Sequence, residues 1–453
     1  MKAIGLDIGT TTLSAIILDG ETGRVIETMN IANGADMPQD VPGGRLQDAN
    51  VIAEKAVGMV SALIEKHGPV EVVGIDGQMH GMLYVDENGD AVSPLYTWQD
   101  GRGGLPCEGG TYASVLTELT GYPMASGFGL TTHYWFVKNG CVPEKAVKLC
   151  TIYDYAGMKL TGGKAPLMHS SSAASLGLYD SKNACWDMEA IRKAGMDPAM
   201  LPDVTDGCAI QGCMPEGAQV SCGIGDNQAS FIGAVRDMDS AILVNIGTGG
   251  QVSMMSDTPG SAENIERRPL GEGASILVGS SLCGGRAYAL LENFVRSCAA
   301  AGGYAGDKLY APMNEAGLRA LEFADPWKVD TRFNGTRKEP GIRGCFSGVS
   351  VDNFDFDHLV GGVLMGMAAE LHGLYGEMRT IDSRKLTVLV GSGNGIRRNP
   401  ALKKAFEMAF GLDMVIPAHL EEAAYGAALF GLAAAGKVGS LSEAQKLINY
   451  IEA

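Results

Sequence analysis

Acidic side chains beside glycine and threonine mark two points of the chain where phosphate chemistry could take place. The first is Asp7-Ile-Gly9-Thr10-Thr11-Thr12, which follows an apolar run. Gly9 lets the backbone approach a ligand closely, and the threonine hydroxyls add donors to the backbone N–H groups of a turn. Asp7 stands at the end of the apolar run and could hold Mg²⁺ directly or through water. The stretch predicts a phosphate-binding turn; an ordinary hairpin with a glycine turn is the alternative.

The second acid follows a short apolar strand. The order Gly225-Asp226-Asn227-Gln228 precedes a helix of small residues, which places Asp226 at a strand-to-helix junction. A carboxylate there could accept the proton of an attacking hydroxyl as a general base. The structural alternative is an N-cap, which aspartate fills well and which stabilises a helix by ~1 kcal/mol.

Polar residues at the end of the predicted strand 70–76 are typical of a ligand site. Gln78, Met79 and His80 stand there between two glycines, and ligands of open α/β sheets bind beyond the carboxyl ends of strands. The apolar pattern of the following strand does not need these residues, so we expect them to contact a sugar. A histidine on the surface or in a satisfied core position is the alternative.

A flat aromatic face and hydrogen-bonding groups come together in Trp98-Gln99-Asp100-Gly101-Arg102. The indole of Trp98 suits the C–H face of a sugar, and Asp100 could bind sugar hydroxyls. A turn in which Asp100 and Arg102 pair across one glycine is the alternative.

The second half of the chain repeats the opening pattern. An apolar strand, a turn with Gly247 and Thr248, and another strand recur about half a chain after the first turn. Two such turns predict a duplicated α/β domain with a nucleotide between the halves. Gly391, Gly393 and Asn394 follow a later buried strand, and the glycines would let adenine or ribose lie against the backbone.

Length and composition limit the function classes. With 453 residues the chain has room for two domains, which we place at 1–238, with the sugar site and the catalytic acid, and 239–453, with the nucleotide site. A net charge of −17 argues against non-specific binding to nucleic acid or anionic membranes. Ten scattered cysteines indicate reduced thiols rather than disulfides or zinc. Neither a signal peptide nor a membrane helix is predicted, so we expect a cytoplasmic protein.

The first elements of the chain predict a known arrangement. The strands on either side of the first turn are followed by a third strand over 23–31. Apolar residues on one helical face then predict a helix from Asp48 to His67, with Asp48 or Asn50 as its cap and Gly68 as its end. Three antiparallel strands, a helix and another strand form the opening of the actin-like, ribonuclease-H-like ATPase domain.

Taken in order along the chain, these motifs resemble the FGGY carbohydrate kinases, and the resemblance covers essentially the whole length. It implies two actin-like ATPase domains with a cleft between them, and ATP and Mg²⁺ as cofactors. The implied roles are magnesium binding by Asp7, phosphate binding by Thr10, Thr11, Gly247 and Thr248, a sugar pocket of Met79, His80, Trp98 and Asn227, catalysis by Asp226, and an adenosine border of Gly391, Gly393 and Asn394.

Within the family, the chain looks most like the sedoheptulokinases. The features are 97–102, Gly127-Phe128-Gly129, the glycine pair 284–285 and Asn399. The implied reaction phosphorylates a primary hydroxyl of a ketose, sedoheptulose giving sedoheptulose 7-phosphate, with xylulose or another ketose or polyol as the alternative acceptor.

Two places depart from the usual family pattern. Thr132 stands three residues before Trp135, where a lysine is usual. Gly362 and Met365 stand where Ala or Ser and an acidic residue are usual. These departures weaken an assignment to the xylulose or glycerol kinases and leave the proposed catalytic residues untouched.

Two alternatives belong to other classes. An actin-like nucleotide switch shares the turn and the duplication but needs no sugar pocket, and a catalytically dead scaffold would not need both Asp7 and Asp226. We expect the sugar and ATP as partners, neither nucleic acid nor a membrane, and leave a homodimer open.

Overall fold

The computed structural model describes residues 1–451, which form two compact units. The first consists of Met1–Arg236, Arg268–Ser275 and Glu421–Asn449. The second consists of Asp237–Arg267, Ile276–Leu420 and the residues from Tyr450 on. In the part of the chain that the structure describes, no helix has the length and apolar character needed to span a bilayer.

The helices are α1 Ala49–His67, α2 Tyr112–Thr120, α3 Gly129–Lys138, α4 Ile152–Thr161, α5 Ser170–Leu176, α6 Met188–Lys193, α7 Asp226–Ala234, α8 Gly284–Ala301, α9 Tyr310–Ala320, α10 Phe356–Ile381, α11 Gly393–Arg397, α12 Pro400–Phe410, α13 Glu422–Ala434 and α14 Leu441–Gln445. The strands are β1 Lys2–Ile8, β2 Thr12–Asp19, β3 Val25–Ala32, β4 Asp36–Met37, β5 Leu46–Gln47, β6 Val72–Gly77, β7 Leu83–Val85, β8 Leu95–Tyr96, β9 Pro106–Cys107, β10 Gly110–Thr111, β11 Lys148–Cys150, β12 Leu167–His169, β13 Tyr179–Asp180, β14 Cys185–Trp186, β15 Asp203–Thr205, β16 Ile210–Cys213, β17 Gln219–Ser221, β18 Ile224–Gly225, β19 Ala241–Ile246, β20 Gly250–Ser256, β21 Ile265–Gly271, β22 Ala274–Ser281, β23 Lys328–Asp330, β24 Cys345–Ser347, β25 Val388–Ser392, β26 Met414–Pro417 and β27 Tyr450–Ile451.

The main sheet of the first unit has the order β16-β17-β6-β1-β2-β3, and β18 also pairs with β6. Strand β1 runs antiparallel to β2 and parallel to β6. Helix α1 begins and ends as predicted: the Asp48 carboxylate accepts hydrogen bonds from the N–H groups of Asn50 and Val51, and Gly68 ends the helix at φ 80°. The predicted opening of the domain is confirmed.

A helix from late in the chain completes the first unit. Helix α13 packs against β1, β6 and α7, and glycines make the close approach possible. A Cβ on Gly5 would collide with the carbonyl of Ala424, and one on Gly74 with the carbonyl of Ala427. The backbone of the helix therefore lies directly on the sheet.

The main sheet of the second unit has the order β21-β22-β20-β19-β25-β26-β27. Strand β19 runs antiparallel to β20 and parallel to β25, as β1 does with β2 and β6. Strand β25 is the later buried strand of the sequence analysis, and α11 begins at Gly393 directly after it. The repeated topology confirms the duplicated α/β fold.

Candidate active site

Three acids lie at the carboxyl ends of neighbouring strands in the first unit. In the parallel pairing of β1 with β6, Asp7 is opposite Asp76. In the parallel pairing of β18 with β6, Ile224 is opposite Asp76. Helix α7 begins with Asp226 directly after β18. The sheet register therefore brings together two predicted site residues and one, Asp76, that the sequence analysis did not select.

Burial and mutual repulsion change the protonation of these acids. Burial raises the pKa of Asp7 to about 7; the charge of Asp226 adds to the rise, and a hydrogen bond with Asp76 opposes it. Burial, with the charges of Asp7 and Asp226, raises the pKa of Asp76 well above its usual range. Because Asp76 is fully buried and Asp7 is half-buried, Asp76 is the better place for a shared proton.

Asp226 is held at the first turn of α7. Gly225 occupies the N-cap position, so Asp226 is not the N-cap that the structural alternative required. Its Oδ1 accepts hydrogen bonds from the backbone N–H of Asn227 at 2.7 Å and from the side-chain amide of Asn227 at 3.1 Å. Burial raises the pKa of Asp226, while the bonds from Asn227 and the positive charge of Arg268 limit the rise. The result is an oriented carboxylate with increased basicity.

Asp7 has the chemistry of a magnesium ligand. Apart from the hydrogen bond that a shared proton makes between Asp7 and Asp76, no partner within residues 1–451 reaches the buried Oδ1 of Asp7 or either carboxylate oxygen of Asp76. In the same range, no group of three or more His, Cys, Asp or Glu residues could hold a metal ion. Mg²⁺ is usually bound by one or two carboxylates together with water and substrate phosphates, and the acids at this sheet edge fit that kind of site.

The first glycine turn is closed by its own backbone. The N–H of Gly9 donates to the carbonyl of Thr12 at 3.0 Å, and the Asn33 side chain donates to the carbonyl of Gly9 at 2.8 Å. Thr11 and Thr12 are exposed, whereas Thr10 is partly buried. Asn33, which the sequence analysis did not select, fixes the turn.

His80 is held in an unusual conformation. Its φ is 71°, which is uncommon for a residue other than glycine. Its Nδ1 lies 2.7 Å from the carbonyl oxygen of Ser175, and its ring stacks on Phe128 with 4.7 Å between centroids. A carbonyl only accepts, so Nδ1 carries a hydrogen. An imidazole whose orientation is fixed by a hydrogen bond and by ring stacking is suited to ligand recognition.

Met79 and Trp98 differ strongly in exposure. Met79 is buried, and a Cβ on Gly225 would meet its sulfur at 2.6 Å, so this side chain packs against β18, the strand that directly precedes Asp226. Trp98 has 46% of its surface exposed, and its indole N–H donates to the hydroxyl of Thr10 at 3.0 Å. Trp98 therefore offers an accessible aromatic face beside the first turn.

Asp100 does not have the direct sugar-binding position that we predicted. It is buried, and its carboxylate accepts bonds from the Arg102 guanidinium and from the backbone N–H of Arg45. Arg102 is itself fully buried and also bonds Asp40. The pairing of Asp100 with Arg102 is the alternative that the sequence left open, and it fixes the loop that carries Trp98.

The second unit contains a cavity of about 650 Å³ beside the second turn. The N–H groups of Gly285 and Arg286 donate to the carbonyls of Gly247 and Thr248 at 2.9 and 3.0 Å, which joins the start of α8 to this turn. The lining includes Gly247, Thr248, Gly285, Arg286, Tyr288, Tyr310, Asn314, Asn394, Arg398 and Asn399. Its size, aromatic rings and amide groups suit a nucleoside.

Two predicted glycines serve packing in the second unit. A Cβ on Gly391 would collide with the sulfur of Met414, and one on Gly393 would press on the backbone of Ile246. Neither glycine lines the cavity, whereas Asn394 does. Glycine at both positions permits close strand and helix packing, and a border with adenosine stays a prediction.

Comparison with known proteins gives the same family along most of the chain. Residues 2–244 match the N-terminal domain, and residues 242–435 the C-terminal domain, of the FGGY family of carbohydrate kinases. The sedoheptulokinase of Mus musculus is 27% identical over 466 residues, covering 94% of this chain and 96% of that protein. The gluconokinase of Bacillus subtilis (strain 168) is 24% identical over 472 residues, covering 98% and 90%.

A solved structure has the same fold at low sequence identity. The xylulose kinase from Rhodospirillum rubrum superposes with a TM-score of 0.83 at 20% identity, covering 100% of this chain and 93% of that chain. At this identity the likeness establishes the fold alone.

Proposed function

Because the chain belongs to the FGGY family of carbohydrate kinases, we propose that it transfers the terminal phosphate of ATP to a primary hydroxyl of a ketose. The observation that carries the proposal is the oriented carboxylate of Asp226 beside Asp7 and Asp76, in the unit that also holds His80 and Trp98. Family membership is the reason for preferring a sugar kinase to a nucleotide switch or an inactive scaffold.

Asp226 is the proposed general base. It takes the proton of the acceptor hydroxyl as the hydroxyl oxygen attacks the γ-phosphorus; the bond from phosphorus to the bridging oxygen breaks, and ADP leaves with those electrons. Both hydrogen bonds from Asn227 reach Oδ1, which leaves Oδ2 for the proton. Positioning and charge neutralisation supply most of the rate in phosphoryl transfer.

The two glycine turns are the proposed phosphate-binding elements. In the first, the exposed hydroxyls of Thr11 and Thr12 are available to phosphate oxygens; in the second, Gly247 and Thr248 line the cavity. Asp7 would hold Mg²⁺, which when bound neutralises charge on the phosphates. We assign the nucleoside to the cavity of the second unit.

Sedoheptulose is the proposed acceptor, ahead of xylulose and well ahead of glycerol. His80 supplies one imidazole as a hydrogen-bonding group, Trp98 adds a flat face, and Thr132 is a small residue where a lysine is usual. A less charged and roomier pocket favours a longer sugar. Each added carbon is worth only ~1–3 kcal/mol, so the preference over xylulose is modest. The 27% identity to a sedoheptulokinase supports this choice.

The experiment is a panel of acceptors at fixed MgATP, with kcat/KM measured for sedoheptulose, xylulose, ribulose, fructose, glycerol and gluconate. Gluconate is included because Arg268 places a positive charge near Asp226 and because a gluconokinase is among the relatives. We expect sedoheptulose to give the highest kcat/KM. If glycerol or gluconate gave the highest kcat/KM, the ketose assignment would be rejected but the kinase activity would be established.

A further inference from the structure

Four side chains in the first unit form a continuous hydrogen-bonded chain that ends at the first glycine turn. The indole N–H of Trp98 lies 3.0 Å from Thr10 Oγ1, which lies 3.2 Å from Gln78 Oε1. Gln78 Nε2 lies 3.0 Å from Gln47 Oε1. Gln47 Nε2 returns to the carbonyl of Thr10 at 2.9 Å and also reaches the carboxylate of Asp36 at 3.1 Å.

The direction of every bond in this chain is fixed by its ends. Gln47 Nε2 faces a carbonyl and a carboxylate, which only accept, so the Gln47 amide cannot be flipped. Gln47 Oε1 must then accept from the amide of Gln78, whose oxygen accepts from the hydroxyl of Thr10. At the other end, the indole of Trp98 can only donate. The Thr10 hydroxyl therefore donates inward to Gln78 and accepts from Trp98.

Burial makes this arrangement rigid. Gln47 is 1% and Gln78 is 2% exposed, so an amide that loses its partner is left unsatisfied away from water. Both polar atoms of Gln78 have partners within the protein. Gln78 is thus committed to holding the turn, although its position in the sequence had suggested direct contact with the sugar.

We propose that Gln47 and Gln78 are positioning residues that keep the Thr10 hydroxyl as a hydrogen-bond acceptor beside Trp98, where it receives a hydrogen bond from a hydroxyl of the acceptor sugar. The proposal rests on the proposed function. The proton of Thr10 is directed to Gln78 and is not available to a phosphate oxygen. Thr10 therefore binds the sugar, and the exposed hydroxyls of Thr11 and Thr12 bind the phosphates.

The test compares Gln47→Leu, Gln78→Leu and their double variant with the wild-type protein. We expect each single variant to raise KM for the sugar about tenfold and to leave KM for MgATP within twofold, because only the acceptor side of the turn changes. The double variant should be no worse than the worse single one, since both substitutions break one chain. Gln39→Leu is the control: exposed Gln39 lines the same cavity of about 330 Å³ as Gln47 but stands outside the chain of bonds.

Trp98→Phe provides a second test if a leucine variant does not fold. Nearly half of the Trp98 surface is exposed, and phenylalanine retains an aromatic face but lacks the N–H. We expect KM for the sugar to rise while KM for MgATP stays unchanged. A rise in KM for MgATP as large as that for the sugar, or additive effects of the two leucine substitutions, would overturn the proposal.

Failure of the proposed function gives a different result. If the wild-type protein phosphorylates none of the acceptors, the proposed ketose kinase function is rejected, but the inference about Thr10 is not. Calorimetric titration of Gln47→Leu with a non-hydrolysable ATP analogue and Mg²⁺ then decides the inference. Affinity within twofold of wild type supports the separation of Thr10 from phosphate binding, and a tenfold loss contradicts it.

Discussion

The two glycine turns occupy the same place in the two sheets but differ in chemistry. Strand β1 pairs antiparallel with β2 and parallel with β6, and this register puts Asp7 opposite Asp76. Strand β19 pairs antiparallel with β20 and parallel with β25, and the corresponding register puts Asn245 opposite Ser392. The same backbone arrangement therefore presents two acids in the first unit and two neutral polar residues in the second.

This difference predicts that the two turns would hold phosphate groups in different ways. Carboxylates repel phosphate unless a cation or a proton intervenes, so the first turn requires Mg²⁺ or protonation before it can hold a phosphate. The second turn has no acid at this register and lies beside Arg286 and the N-terminus of α8, which attract anions without a metal. Substitutions that remove an acid from the first unit or add one to the second turn test this comparison.

The largest effect is expected from Asp226→Asn. It removes the proposed base but keeps the shape of the side chain, so kcat should fall by roughly 10²–10⁴ while the protein stays folded. Steady-state kinetics and nucleotide titration measure the two properties. Near-normal turnover in a folded variant would rule out Asp226 as the base.

Asp7→Ala should lower turnover with MgATP by about 10², because the acidic turn loses its proposed metal ligand. Sugar affinity, measured calorimetrically, should be largely kept, since His80 and Trp98 are unchanged. If turnover at limiting Mg²⁺ were unchanged, Asp7 would not be a ligand of the catalytic Mg²⁺.

Asn245→Asp would give the second turn the acid of the first. A carboxylate there repels the nucleotide phosphates, and we expect KM for ATP to rise about tenfold, which corresponds to ~1.4 kcal/mol, with KM for the sugar unchanged. Kinetics at several salt concentrations check the electrostatic origin, because screening should reduce the effect. Equal KM for ATP in variant and wild type would mean that the second turn does not contact the phosphates.

The smallest effects concern stability, and they have opposite signs in the two units. Burial raises the pKa of Asp154 in the first unit to about 7, so its contribution is present at low pH and is lost as pH rises from about 4 to about 7. In the second unit, burial acts to raise the pKa of Asp382, but hydrogen bonds from Arg384 outweigh it and lower the pKa to about 2, so that contribution is lost as pH falls from about 4 to about 2.

Denaturant unfolding at pH 5 and pH 8 measures both contributions. Asp154→Asn should reduce the loss of stability between these pH values, and Asp382→Asn should destabilise by about 1–3 kcal/mol at both, because charged hydrogen bonds are lost. An unchanged pH dependence in Asp154→Asn would contradict the buried, protonated state of that residue.

Local patterns were sufficient to predict helix α1 and the strand-to-helix junction that carries Asp226. The cap at Asp48, the end at Gly68 and the apolar spacing between them defined α1, since these signals act within a few residues of the backbone that they stabilise. The Gly225-Asp226 junction was recognisable for the same reason, because a short apolar strand and a small-residue helix flank it in the sequence.

Contacts between distant residues decided the rest. Asp100 and Gln78 looked equally suited to bind a sugar. Arg102 and Arg45 instead donate hydrogen bonds to Asp100. The side chain of Gln78 is hydrogen-bonded to Thr10 and Gln47. Nothing local distinguishes a polar residue that faces a ligand from one that satisfies a buried partner.

The sequence by itself determined the duplicated α/β fold, the two glycine turns and the identity of the acid at the strand-to-helix junction, because periodicity and turn chemistry are local properties. Only the tertiary structure decided that Asp76 stands opposite Asp7 and that Gln47 holds Thr10. Both depend on the register between strands or loops separated by tens of residues, which is set by the packing of the whole unit.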